Sequence, residues 1–158
     1  MQIAKQLGVT KGSFYWHFQD LAEYQEAVLD EWERCHTQQA IACVEAFGGD
    51  DATKLRNVFM GSAGDNFMLA RAIRSWSLTN PKAREVQARV DQWRIDYLEQ
   101  LLHGIGWSAS DAMVLARWSY CAFIGYSTIE GPSVTAQQLE LVLGILMPKQ
   151  VQSKSNTL

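Results

Sequence analysis

Proline is scarce in this sequence: only Pro81, Pro132 and Pro148 occur in 158 residues. Each stands where helical periodicity pauses, so the long segments between them contain no helix breaker. A convincing period-two alternation of apolar and polar residues is missing, and half-buried strands are therefore not expected. Cysteine is limited to Cys35, Cys43 and Cys121. An odd count without short-range pairing argues against a disulfide framework and for reduced thiols in a cytoplasmic, bacterial setting. Cys35 and Cys43, two helical turns apart, read as core thiols. No stretch is long and apolar enough to span a membrane, and the N-terminus lacks the basic-then-apolar pattern of a secretory signal. Positive charge is not in excess: 14 Lys and Arg face 17 Asp and Glu, a net charge of −3. The whole-chain electrostatic footprint of a nucleic-acid binder is absent. So are a phosphate-binding loop, a dinucleotide fingerprint, a zinc-type His-Glu-x-x-His and a nucleophile elbow. His36 and His103 have no companions at metal-ligand spacing. Neither metal nor cofactor is expected, and no enzyme: Asp65, Asp96 and His103 are conceivable acid–base groups that no spacing brings together.

What is present is helical. Apolar residues make up 47% and charged residues 20% of the chain, ordinary values for a folded protein with one sizeable core or one domain carrying a small module. Apolar residues recur at three and four. The pattern predicts helices over 2–7, 10–18, 20–47, 52–60, 66–78, 80–103, 110–130 and 135–147, hence an all-α fold. Gly8 suits a left-handed C-cap, and Thr10 an N-cap. Asp20 with Glu23, Ser108 with Asp111, and Thr135 with Gln138 have the spacing of capping boxes. Asn80-Pro81 opens a helix with proline at its first position. Breaks are expected at Gly48-Gly49-Asp50, at Gly61-Ser62-Ala63-Gly64 and at Gly131-Pro132, with a frayed polar tail over 149–158.

Charge is uneven. Residues 1–19 hold Lys5 and Lys11 and no acid, whereas 20–33 hold Asp20, Glu23, Glu26, Asp30, Glu31 and Glu33 and no Lys or Arg. The basic segment reads Ile3-Ala4-Lys5-Gln6-Leu7-Gly8-Val9-Thr10-Lys11-Gly12-Ser13-Phe14-Tyr15-Trp16-His17-Phe18. A helix-turn-helix needs two short helices locked by a tight turn. Ala4 lets the helices approach, Gly8 permits the turn, Val9 plugs the space between them, and Thr10 caps the second helix. The second helix then presents its N-terminal residues to the major groove.

This segment resembles the TetR family of transcriptional regulators. The likeness is carried by the Ile-Ala start, the glycine turn, the Thr cap and the ending Tyr15-Trp16-His17-Phe18, and it extends weakly to Ile73-Arg74-Ser75-Trp76 before Asn80-Pro81. It implies that Thr10, Tyr15 and His17 bind backbone phosphates and that Lys11, Ser13 and Trp16 face bases, with Gly12 in the same contact segment. Tryptophan packs on a thymine methyl and lysine reaches guanine. Ile3, Leu7, Phe14 and Phe18 should face the module's small core. Two departures stand out. The family's first helix has no counterpart ahead of Ile3, so the module should be loose, and Leu21 stands where the family often has a phosphate-binding lysine, which lowers the expected counterion release.

The resemblance divides the chain into a DNA-binding part with a connecting helix (1–47), an effector-binding and dimerising bundle (48–148) and the tail. Among the many aromatic and sulfur-bearing residues, Phe59, Phe67, Trp76, Trp93, Tyr97, Trp118 and Cys121 are expected to line a cavity for a small, partly apolar effector. The helices over 110–130 and 135–147 are apolar nearly all round and so need two packing partners. One is the chain's own core, the other a second copy, with Trp118, Ala122, Gly125, Tyr126, Leu139, Val142, Leu143 and Leu146 at the interface. A two-fold homodimer suits a palindromic double-stranded operator. The implied function is a ligand-responsive regulator, most simply a repressor. The competing expectation is a dimeric ligand-binding or protein-interaction module without DNA affinity.

Overall fold

The computed structural model describes residues 2–62, 67–129 and 135–148. The helices are α1 (Gln2–Gln6), α2 (Lys11–His17), α3 (Leu21–Glu33), α4 (Gln39–Phe47), α5 (Asp51–Ser62), α6 (Met68–Ser77), α7 (Pro81–Gly104), α8 (Ala109–Thr128) and α9 (Ala136–Leu146). No strand occurs among the described residues, as the missing period-two alternation implies. A π-helical turn, Arg34–Gln38, joins α3 to α4, so 21–47 is one continuous rod with an inserted bulge. The apolar pattern gave no sign of that bulge. The expected stops at Ala63-Gly64 and Gly131-Pro132, the tail and Asp65 lie outside the described residues.

Local chemistry sets the boundaries. Gly8 has φ +69°, which costs a side-chain-bearing residue about 1–2 kcal/mol. Around it, Val9 N–H donates to the Ala4 carbonyl (3.0 Å) and Gly8 N–H to the Lys5 carbonyl (3.2 Å), a Schellman closure. Thr10 Oγ1 accepts from Ser13 N–H at 3.0 Å. Asn80 accepts from Ala83 N–H at 2.9 Å, and Thr135 with Gln138 forms the full reciprocal box. Asp20 departs from expectation. It accepts from Glu23 N–H (2.9 Å), but Glu23 accepts from Gln19 N–H rather than from the cap residue. Ser108 accepts from Asp111 N–H and also donates its hydroxyl to the Asp111 carboxylate. Helix α5 runs through Gly61 and Ser62, past the break expected there.

Two buried clusters organise the packing. Leu29, Trp32, Ile73, Ala83, Val86 and Val90 bind α3 to α6 and α7. Leu55, Ile95, Leu98, Leu101, Leu102, Ala112, Ala116, Tyr120, Leu143 and Leu146 bind α5, α7, α8 and α9. Each fully buried aliphatic side chain contributes about 1.5–3 kcal/mol. The buried Glu33 carboxylate adds a directional link from α3 to α7, accepting from Arg89 Nε at 2.7 Å and Nη2 at 2.6 Å.

Candidate functional site

The first candidate surface is α2. Phe14 is buried against Phe18 and Tyr24, with ring centroids 5.4 Å from each, and Phe18 and Tyr24 are 5.2 Å apart. This aromatic triad fixes α2 on the start of α3. With Phe14 turned inward, Thr10, Lys11, Gly12, Ser13, Tyr15, Trp16 and His17 are all exposed. Trp16 is 81% exposed, and its ring meets the His17 imidazole edge-on at 4.6 Å. Structure and sequence agree on Phe14. They disagree on Leu7, which is expected in the module's core but is 50% exposed, because no described residue packs over that side of α1. Leu21, at the first position of α3, is also exposed.

The second candidate is a cavity of about 1050 Å³ enclosed by the α3–α4 rod, α5, α6, α7 and α8. Ala40, Ile41, Val44, Val58, Phe59, Met60, Phe67, Leu98, Phe123 and Ile124 give it apolar walls. Phe59, Phe67 and Tyr97 line it as the sequence suggested. Trp76, Trp93, Trp118 and Cys121 do not. Helical phase explains each case. On α8, Ser119, Tyr120, Phe123 and Ile124 turn inward, leaving Trp118 and Cys121 on the outer face. Trp93 sits outward beside the inward Arg94, and Trp76 packs on the Leu29–Ile73 cluster. The cysteines are not core thiols: Cys43 and Cys121 are exposed and Cys35 is half-buried. Burial and the Glu31 carboxylate beside it raise the Cys35 thiol, the hydrogen bond to Glu31 most of all.

One stretch of the cavity wall is polar. Arg74 donates to both Asp91 carboxylate oxygens, at 3.1 and 2.7 Å. Tyr120 and Gln87 Nε2 each donate to Asp91 Oδ1 at 2.7 Å. Burial pushes the Tyr120 phenol up to about 12, against the opposing pull of Arg94. Arg94 itself donates to the His36 carbonyl at 2.8 Å and stands 5.8 Å over the Trp32 ring. Four buried polar atoms of this lining have no hydrogen-bond partner among the described residues: Trp32 Nε1, Thr37 Oγ1, Gln87 Oε1 and Ser119 Oγ. Leaving such groups unpaired costs about 1–3 kcal/mol each, and all four belong to residues that line this one cavity. These residues were missed in the sequence. The available signal was polarity at positions 87, 91 and 94 of α7, on the side otherwise marked by Ala83, Val86, Val90 and Leu98.

The interface residues split. Leu143 and Leu146, 3% and 1% exposed, belong to the chain's own core and are unavailable to a partner. Trp118, Ala122, Tyr126 and Val142 are exposed, and Gly125 and Leu139 are partly so. Asp96 and His103 lie along one shallow groove of α7, where His103 Nδ1 is 3.1 Å from the Trp107 carbonyl. No helix among the described residues is long and apolar enough to cross a membrane, and no cluster of three metal-ligating side chains occurs among them. Compared with family models, curated proteins and solved structures, the chain matches none.

Proposed function

We propose that this protein is a ligand-responsive transcriptional regulator of the TetR type. It binds a palindromic double-stranded operator as a homodimer, and a small, partly apolar effector in the cavity releases it. The observation that carries the reading is the α1–Gly8–α2 unit: a Schellman turn and a threonine cap hold a helix whose only buried side chain is Phe14. Every residue of the expected contact set faces solvent. The cavity supports the second half. The α3–α4 rod leaves α2 through the Asp20 cap and supplies Trp32 and Thr37 to the cavity lining, so one element borders both sites. An effector shifts DNA affinity only if it binds the two arrangements of that rod unequally.

The acidic run on α3 favours the competing reading, a ligand-binding dimer without DNA affinity. Selection from a random duplex library, followed by anisotropy titration of the enriched sequence, separates the two. The regulator enriches a palindrome. Tyr15→Ala and His17→Ala then weaken binding to all duplexes alike, and Trp16→Ala also relaxes sequence preference by about 1–3 kcal/mol at one base pair. No enrichment, or three variants indistinguishable from the parent, leaves the ligand-binding module as the answer.

A further inference from the structure

The charges of the cavity lining do not balance. Among the described lining residues there are three arginines, Arg71, Arg74 and Arg94, and no Asp, Glu or Lys. Arg74 is neutralised by its two-pronged pairing with Asp91. Among the described residues, no carboxylate pairs with Arg71 or Arg94. Arg71 donates to the Ser127 carbonyl and Arg94 to the His36 carbonyl. A guanidinium that gives its protons to a carbonyl keeps its full charge, and beside largely apolar walls that charge attracts an anion.

The neighbours of Arg94 are suited to an anion. Its guanidinium stands over the Trp32 ring. Trp32 Nε1 is a pure donor, buried and without a partner among the described residues; Thr37 Oγ1, in the same condition, follows the residue whose carbonyl holds Arg94. Two donors and a cation thus border the same cavity, from the α3–α4 rod and α7. Further along α7 the wall changes character. Leu98, facing Ile41, Val44 and Val58 from α4 and α5, is apolar and can accept only an apolar body.

From this we infer that the cavity takes an amphiphilic carboxylate, with its head on Arg94, Trp32 and Thr37 and its hydrocarbon body along the α4–α5 wall. The inference rests on the reading of the cavity as a ligand site and specifies the chemistry of that ligand. A neutral amphiphile would leave Arg94 uncompensated, and an ammonium would meet a like charge with no acid among the lining residues to receive it.

Calorimetric titration of the full chain with decanoate, decanol and decylammonium, all below micelle formation, tests it. Decanoate is expected to bind about tenfold or more tightly than decanol, the size of a charge-assisted hydrogen bond, and decylammonium not to bind. Arg94→Gln should reduce that preference to near parity. Trp32→Phe, which keeps the ring and removes the N–H, should lower decanoate affinity several-fold. The comparison of head groups on the unmodified chain stands even if a variant fails to fold. Decanol binding as well as decanoate overturns the carboxylate assignment and leaves the cavity a ligand site. Binding of none of the three overturns both.

Discussion

Tyr120 shows how one side chain ties stability to the cavity. Its hydroxyl donates to Asp91 while Arg74 Nη2 approaches the same oxygen at 3.4 Å. Burial first, and the donation to Asp91 after it, favour the neutral phenol; the nearby Arg94 opposes them without prevailing. The unfolded phenol ionises near 10 and the folded one near 12. Between those values the unfolded state loses its proton first, so stability is fully present below pH 10 and falls as pH rises through the window. The loss approaches about 2–3 kcal/mol. Urea unfolding across that window should show the decline, and Tyr120→Phe should make it shallower. Tyr97 keeps a residual slope, since burial and its hydrogen bond to Glu45 raise its phenol as well. An unchanged slope in the Tyr120→Phe protein would show that folding does not raise the phenol above its ordinary range.

At the scale of the element, the α3–α4 rod matters most. It is tied to α7 near its middle by the Glu33–Arg89 ion pair, and a π-turn follows immediately. Bulges of this kind recur where a helix must present a side chain out of regular phase. Here the turn carries Thr37 into the cavity wall. Glu33→Ala removes the acceptor of both Arg89 bonds, and because Arg89 is partly exposed its charge can rehydrate. The expected cost is about 1–3 kcal/mol, together with faster amide exchange through α3 than through α7. Equal protection in both helices would mean that the apolar cluster, not the ion pair, sets the rod's position.

The same rod marks the limit of what sequence patterning carries. Periodicity found the helices, and turn chemistry found Gly8, Thr10, Asn80 and the Thr135–Gln138 box, because those signals are local. The π-turn left no trace because it changes phase without changing composition. Phe59, Phe67 and Tyr97 were legible as cavity residues, whereas Trp76, Trp93, Trp118 and Cys121 were not, since aromatic content does not say which side of a helix faces a void. The polar wall built from Gln87, Arg94 and Tyr120, with Asp91 behind it as hydrogen-bond acceptor, depends on how α7 meets α8 and the rod, which is a tertiary fact.

The whole molecule leaves apolar surface that a single chain does not use. On α8, Val114, Trp118, Ala122 and Gly125 form a stripe, continued by Ile129 just past its end, opposite the buried Ala112, Ala116, Ser119 and Tyr120. A Cβ added at Gly125 would touch nothing within 4 Å among the described residues, so the stripe is open at that point. On α9, Leu141, Val142 and Ile145 face outward while Leu143 and Leu146 lock the helix to the core. Both helices dock on the same buried cluster, and monomers rarely keep this much bulky apolar surface in water. An isologous dimer of about 1,200–2,000 Å² would cover it. The split between inward and outward leucines makes the test clean. Trp118 is 63% and Ile145 69% exposed, so Trp118→Asp or Ile145→Asp should give monomers with unchanged helical circular dichroism. Leu143→Ala removes core packing instead and should cost about 2–5 kcal/mol of stability without first dissociating the dimer. Sedimentation velocity at micromolar concentration decides between these outcomes. If the unmodified protein sediments as a monomer, the apolar stripes have another use and the two-fold match to a palindromic operator is lost with them.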